Sequence, residues 1–216
     1  MTRLSVVSIA LLLSACALFP IVPAIPTDYA GPDGGYVVAG IGAAKGIKYS
    51  SYYLLFRKKD ASLSTGDSFP RASLSFDPYF FSKRLELDYK DDVEQGTISS
   101  ARLAPGVYEV YRCGEWLDGY MFQAHYDSKT PFSIPFEVKP GEVVYLGNFQ
   151  ANSIRGKNAF AFGLPVPAGA VYVVEDRKDR DLALLRKRMP ELPQVVVDSM
   201  PTSVDSPFFA FKSKDQ

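Results

Sequence analysis

The chain has 216 residues, enough for one sizeable core or two small ones, and its 24 Lys and Arg are balanced by 24 Asp and Glu. With a sequence pI ≈ 6.6 there is no electrostatic case for a nucleic-acid partner. Two cysteines and one histidine argue against a disulfide framework and against a zinc site built from several His and Cys ligands, and no cofactor is expected.

The first stretch with a clear physical reading is N-terminal. Arg3 precedes an apolar run from Leu4 to Leu13, which is shorter than the roughly 20 residues of a membrane-spanning helix but suits an export signal. It ends in Leu13-Ser14-Ala15-Cys16, which resembles the lipobox of bacterial lipoproteins. The resemblance implies removal of residues 1–15, a diacylglycerol on the Cys16 thiol and a third acyl chain on its new amine. One acyl chain binds a membrane only marginally, and several hold it stably. Ala17, which is not Asp, implies by the same resemblance the outer membrane of a Gram-negative cell, with the protein facing the periplasm. The alternative is an ordinary secretory signal cleaved near Ala15 or Ala17. Beyond the signal no apolar run reaches spanning length, so the mature chain is expected to sit on a membrane rather than cross it.

Residues 16–35 carry Pro20, Pro23, Pro26 and Pro32, a spacing that favours an extended, semi-rigid linker. Residues 36–216 then read as one β-rich domain. Tyr36 to Gly42, Ile47 to Phe56 and Ala72 to Phe76 are rich in strand formers. Arg57-Lys58-Lys59-Asp60 reads as a solvated strand end, Phe80 to Tyr89 is ambiguous, and Asp88 to Gly96 reads as a charged loop.

The second half is more regular. Pro105-Gly106-Val107-Tyr108, Pro140-Gly141 with Glu142 to Gly147, and Pro167-Ala168-Gly169 with Ala170 to Val173 each place a Pro/Gly turn before a Tyr-bearing strand. The first two suit a type II turn, whereas the extra alanine requires a different third. Asp118-Gly119 predicts a two-residue hairpin turn pairing Leu117 with Tyr120, Cys113 with Ala124 and Arg112 with His125. Phe132 to Val138 is a further strand that Pro135 confines to a sheet edge. Asp176 to Met189 changes to helical spacing through Leu182, Leu185 and Met189, with Asp179 as the expected N-cap, a helix near 179–189, and Pro190 as its stop. Val195 to Val197 suits one more strand, and Phe208 to Phe211 a docked end.

The expected fold is mainly β, an antiparallel β-sandwich (transthyretin-like or Ig-like) with one C-terminal α-helix. The two Pro-Gly motifs, at Pro105 and Pro140, resemble those of small bacterial lipoproteins with a transthyretin-like, carboxypeptidase-regulatory-like β-sandwich, over roughly residues 96–175. The resemblance brings no catalytic residues, and such a fold hosts many functions.

Little in the chain points to catalysis. A Cys113–His125 dyad is disfavoured because the hairpin register puts the two on opposite faces. Cys113 reads as a buried, inert thiol and His125 as a hydrogen-bonded strand residue. The acidic stretch Asp88 to Glu94 lacks calcium-loop spacing and reads as solvated, and the aspartates from Asp176 to Asp181 read as helix capping and salt-linked surface. The surplus is aromatic: Tyr49, Tyr52, Tyr53, Tyr79, Phe80, Phe81, Trp116, Tyr120 and Phe122. Most suit a core, while Trp116 and Tyr120 beside the hairpin tip are the candidate binding surface. The expectation is a non-enzymatic, membrane-anchored protein-binding or assembly module. Glycan or peptidoglycan binding through the same aromatics is the alternative, and a hydrolase using unpaired acidic residues a third reading.

Overall fold

The computed structural model describes residues 28–45, 50–59, 73–77, 87–118, 123–157 and 165–212. The lipobox with Cys16, the spacer up to residue 27, Tyr49, Tyr79, Phe80, Phe81, Tyr120 and Phe122 lie outside them.

Among the described residues twelve strands form two sheets, and one helix packs outside them. The seven-stranded sheet is built on β1 (Gly35–Ala44) and β9 (Val143–Lys157), which run parallel. β5 (Glu94–Leu103) and then β4 (Tyr89–Lys90) extend it beyond β1. Along the other side of β9 lie β11 (Val196–Asp198), pairing with its first residues, and β10 (Pro165–Glu175), pairing from Asn148 onward. β12 (Phe209–Phe211) closes the edge beside β10. The five-stranded sheet runs β3 (Ser73–Phe76), β2 (Ser50–Lys58), β6 (Gly106–Asp118), with β8 (Ile134–Val138) and β7 (Gln123–Asp127) end to end along the far side of β6. Every pair in this second sheet is antiparallel. The first is mixed, with β1–β9, β9–β11 and β10–β12 parallel, so the wholly antiparallel expectation holds for one sheet only.

Alternation along β1 explains the layering. Val37, Ala39, Ile41 and Ala43 join Leu54, Phe56, Val110, Phe149 and Tyr172 in a core between the sheets. Val38, on the opposite face, packs with Ile98, Val143, Tyr145, Leu182, Leu185 and Leu192 beneath α1 (Lys178–Arg188). The helix therefore closes the outer face of the seven-stranded sheet. Tyr172, fully buried, ties the two sheets together by donating its hydroxyl to the Gly114 carbonyl at 2.6 Å.

Several local expectations change for identifiable reasons. Lys139-Pro140-Gly141-Glu142 is the expected turn, with Gly141 at φ 68 and Glu142 N–H donating to Lys139 O. Pro105-Gly106 instead carries the chain from β5 in one sheet to β6 in the other. Pro167-Ala168-Gly169 lies inside β10, where the extra alanine is absorbed as a bulge opposite β9. The charged stretch after Asp88 is a tight β4–β5 hairpin: Asp91 Oδ1 accepts from the N–H groups of Val93 and Glu94 at 2.7 and 2.8 Å, and those bonds hold its carboxyl below the usual range. Asp179 does not cap the helix. Arg177 occupies the N-cap with no side-chain bond, and Asp176 accepts from Lys178 N–H.

Candidate functional site

The hairpin joining β6 to β7 sets the geometry of the candidate surface. Leu117 pairs with Ala124 and Trp116 with His125, because residues 119–122 separate the strands rather than the two of a tight turn. The predicted register is therefore displaced. Its inference about faces survives, since Cys113 and Trp116 are an odd number of residues apart. Cys113 is 2% exposed in the core, where burial pushes its thiol up to about 12, while His125 is exposed on the outer face.

On that outer face the half-buried Trp116 stacks on His125, ring centroids 5.4 Å apart and planes 16° from parallel. In the next row Tyr53 of β2 and Asp127 of β7 flank Gly114 of β6. A Cβ at Gly114 would lie 2.4 Å from the Tyr53 hydroxyl, so the missing side chain lets the phenol cross β6 and donate to Asp127 Oδ1. Burial, then this bond, push the Tyr53 phenol far up, which keeps it a donor. Arg112 Nη1 lies 3.5 Å from the other Asp127 oxygen.

Further along, Tyr111 is the extra residue of a bulge in β6, because Leu55 faces Arg112 while Phe56 faces Val110. The Arg57 and Arg112 guanidinium carbons lie 4.5 and 5.7 Å from the Tyr111 ring centre. Arg57 also pairs with Glu109 at 2.7 Å, and Ser133 donates to the second Glu109 oxygen at 2.6 Å. Burial alone would raise Glu109, but the Ser133 bond and Arg57 outweigh it and hold the carboxyl below its usual range. Trp116 is thus where the sequence placed it, beside the hairpin. The row that continues this face along β6, through Asp127 and Arg112 to Tyr111 and Arg57, was not legible, since a bulge and a cross-strand register set it.

A second polar cluster lies under α1, with its central carboxylate closed to solvent. Asp181, fully buried, accepts from Tyr145 at 2.8 Å and from Arg180 Nε at 2.9 Å, and Arg180 Nη1 continues to Glu94 at 2.8 Å. Asn148 donates to the Tyr89 hydroxyl at 3.2 Å, and Gln150 Nε2 reaches that hydroxyl at 2.7 Å and Asn148 Oδ1 at 2.6 Å. Arg180 lies over the Tyr89 ring, 4.0 Å from its centre. Burial raises Asp181 despite Arg180 and Tyr145, and it pushes the Tyr89 phenol up to about 12. The room for this cluster comes from Gly40: a Cβ there would meet Asn148 Nδ2 at 2.1 Å and Asp181 Oδ2 at 2.6 Å. Asp181 is therefore an interior anchor, not the salt-linked surface residue its charged neighbours suggest.

Several other acidic residues are similarly engaged. Glu115, fully buried between the sheets, pairs with Arg155 at 2.8 Å and accepts from Ser153 at 3.0 Å. Glu175 pairs with Arg177 at 2.9 Å and with Lys212. In the β4–β5 hairpin, Asp88 accepts from Ile98 N–H at 2.6 Å and pairs with Arg188 at 2.7 Å, while Asp92 pairs with Lys45 at 3.1 Å. Among the described residues no group of three or more His, Cys, Asp or Glu is placed to hold a metal, and no helix is long and apolar enough to cross a membrane.

No family model matches this chain, and neither does any curated protein. One solved structure, a leucine-rich repeat protein from Bacteroides thetaiotaomicron VPI-5482, is similar over 59% of this chain at 16% identity and a TM-score of 0.27. The chain spans 14% of that protein's length. At that TM-score the likeness carries no structural or functional argument.

Proposed function

We propose that this protein is a lipid-anchored envelope β-sandwich of the transthyretin-like kind that binds a protein partner and performs no catalysis. Cys16 supplies the anchor, in the outer membrane facing the periplasm. The observation that carries the binding reading is the outer face of the five-stranded sheet, along which Trp116, Tyr53, Arg112, Tyr111 and Arg57 follow one another from the hairpin end of β6 toward its start. Trp, Tyr and Arg are the residue types that dominate protein-interface energetics, because each offers a large contact area and a directed polar group. The non-catalytic reading draws on the buried carboxylates: Glu109, Glu115, Glu175 and Asp181 each carry an arginine partner, as structural ion pairs do.

The test is photo-cross-linking from position 125 of the lipidated protein in its native envelope, with Trp116→Ala and Cys16→Ala variants. The expected result is one recurrent protein adduct, weakened in the Trp116→Ala chain by about 30-fold in affinity, the size of a 2 kcal/mol hot spot. The adduct should also disappear when the Cys16→Ala chain leaves the membrane. Cosedimentation with purified sacculi and no protein adduct would replace this reading with glycan binding by the same aromatics. No capture of either kind would return attention to hydrolysis.

A further inference from the structure

We infer that the Trp116 end of this sheet face stands away from the lipid, at the end of the domain opposite its tether, and so receives a water-soluble protein rather than a neighbour embedded in the same bilayer. The inference rests on the anchored-module reading above and adds an orientation to it.

Its basis is the place where the chain enters the domain. Asp28 bridges to Arg102 on β5, and Tyr29 N–H donates to Arg102 O at 2.9 Å. The Arg102 guanidinium returns to the carbonyls of Tyr29 and of Gly31, the latter at 2.7 Å, and lies 5.8 Å from the Tyr29 ring centre. Tyr29 donates to Asp33 at 2.9 Å, and Gly34 O accepts from Gly141 N–H at 3.1 Å. These bonds fasten residues 28–34 to one end of the domain, the end that also holds Leu103, Gly106, Val138 and Val143.

β6 starts at that same end and runs away from it. From Gly106 to Trp116 it covers about 30 Å at the rise of a strand. Ser50, paired with Leu117, and the end of β9 belong to the far end as well. The twelve residues from Cys16 to Asp28 reach at most about 40 Å. With the tether end down any course of this linker suffices. Turning the domain over, so that Trp116 meets the lipid, would require the linker to run straight back along the domain for most of that reach. Charge does not oppose this arrangement: Lys58, Lys59, Arg102 and Lys139 at the tether end are balanced by Asp28, Asp33, Glu137 and Glu142. The clamp on Arg102 therefore decides the orientation.

Trp116 is the only tryptophan, so the native protein carries its own probe. The lipidated full chain would be incorporated into phosphatidylethanolamine/phosphatidylglycerol vesicles containing dansyl-phosphatidylethanolamine, and energy transfer from tryptophan to the headgroup dansyl measured. A second lipidated chain, Trp116→Phe with Lys139→Trp, moves the probe to the tether end. Vesicle flotation comes first: a chain that fails to float refutes the anchor itself and leaves the orientation out of account as its cause. For chains that float, the expected result is greater transfer from position 139 than from position 116. Equal transfer, or more from position 116, would overturn the orientation. A recurrent adduct from position 125 with a protein that stays in the bilayer after carbonate washing would overturn the assignment of a soluble partner.

Discussion

The two outer faces of this domain use the same side chains to opposite ends. Under α1, Tyr145, Tyr89, Arg180 and Asp181 form a cluster whose central carboxylate has no solvent exposure. On the five-stranded sheet, Tyr53, Tyr111, Arg112 and Asp127 repeat the chemistry of phenol, guanidinium and carboxylate, but the Arg112 and Asp127 side chains are 35% and 34% exposed. In the first case the carboxylate must find its partners inside the protein, since an unmade bond there costs its full desolvation. In the second, water or another protein can complete the bonding. A cluster of aromatic and charged residues therefore marks an interaction surface only where the fold leaves it uncovered.

The comparison can be broken most directly at Gly40. Gly40→Ala inserts a methyl group against the fully buried Asn148 and Asp181, and overpacking them should cost about 3 kcal/mol, read as a lower midpoint in urea with an unchanged slope. A midpoint equal to that of the natural chain would mean the cluster is looser than its distances imply. A matched pair of variants gives the next effect. Tyr145→Phe leaves the buried Asp181 short of a donor and should cost about 2 kcal/mol. Tyr53→Phe removes the equivalent bond to a part-exposed Asp127 that keeps Arg112 and water, and should cost less than about 1 kcal/mol. Equal losses would refute the distinction between the two faces. On the outer surface itself, His125→Ala removes one ring of an exposed stack and should change stability by about 0.5 kcal/mol.

The elements that could be read from sequence are those whose side chains carry their own pattern. β1, β2 and β3 alternate or concentrate strand formers, Pro135 marks β8 as an edge, and Leu182, Leu185 and Met189 give the helix its period. β5 was not legible. Glu94–Leu103 contains Gly96, Ser99 and Ser100, and its strand conformation is imposed by β1 along its whole length. Asp181 was hidden for a related reason. Its neighbours alternate in charge like any solvated helix start, and only the space above Gly40 shows that it turns inward. Within the candidate surface Trp116 was legible from its place beside the hairpin, but not its contact with His125, because that depends on four intervening residues and not two. Arg57 read as a strand end because nothing local announces a bulge at Tyr111 on the neighbouring strand.

The last expected effect is a pH dependence of opposite sign on the two faces. Burial raises Asp181, so between the ordinary carboxylate range and its raised value the folded state binds more protons than the unfolded state. Stability contributed there should increase as pH falls through that window. Glu109 is held low by Ser133 and Arg57 against the opposing effect of burial. Its contribution is complete above the unfolded value and is lost as pH falls toward the lowered folded one. Urea midpoints followed from about pH 8 downward should therefore pass through a shallow maximum on the acid side before declining. Asp181→Asn should remove the rise while leaving the decline, so its destabilisation relative to the natural chain should be greater at about pH 5 than at about pH 8. Glu109→Gln should leave the rise and flatten the decline. If Asp181→Asn were instead most damaging at about pH 8, the buried carboxylate would be stabilised in its charged form by Arg180, and the cluster under α1 would be an ion pair held by charge rather than an anchor held against it.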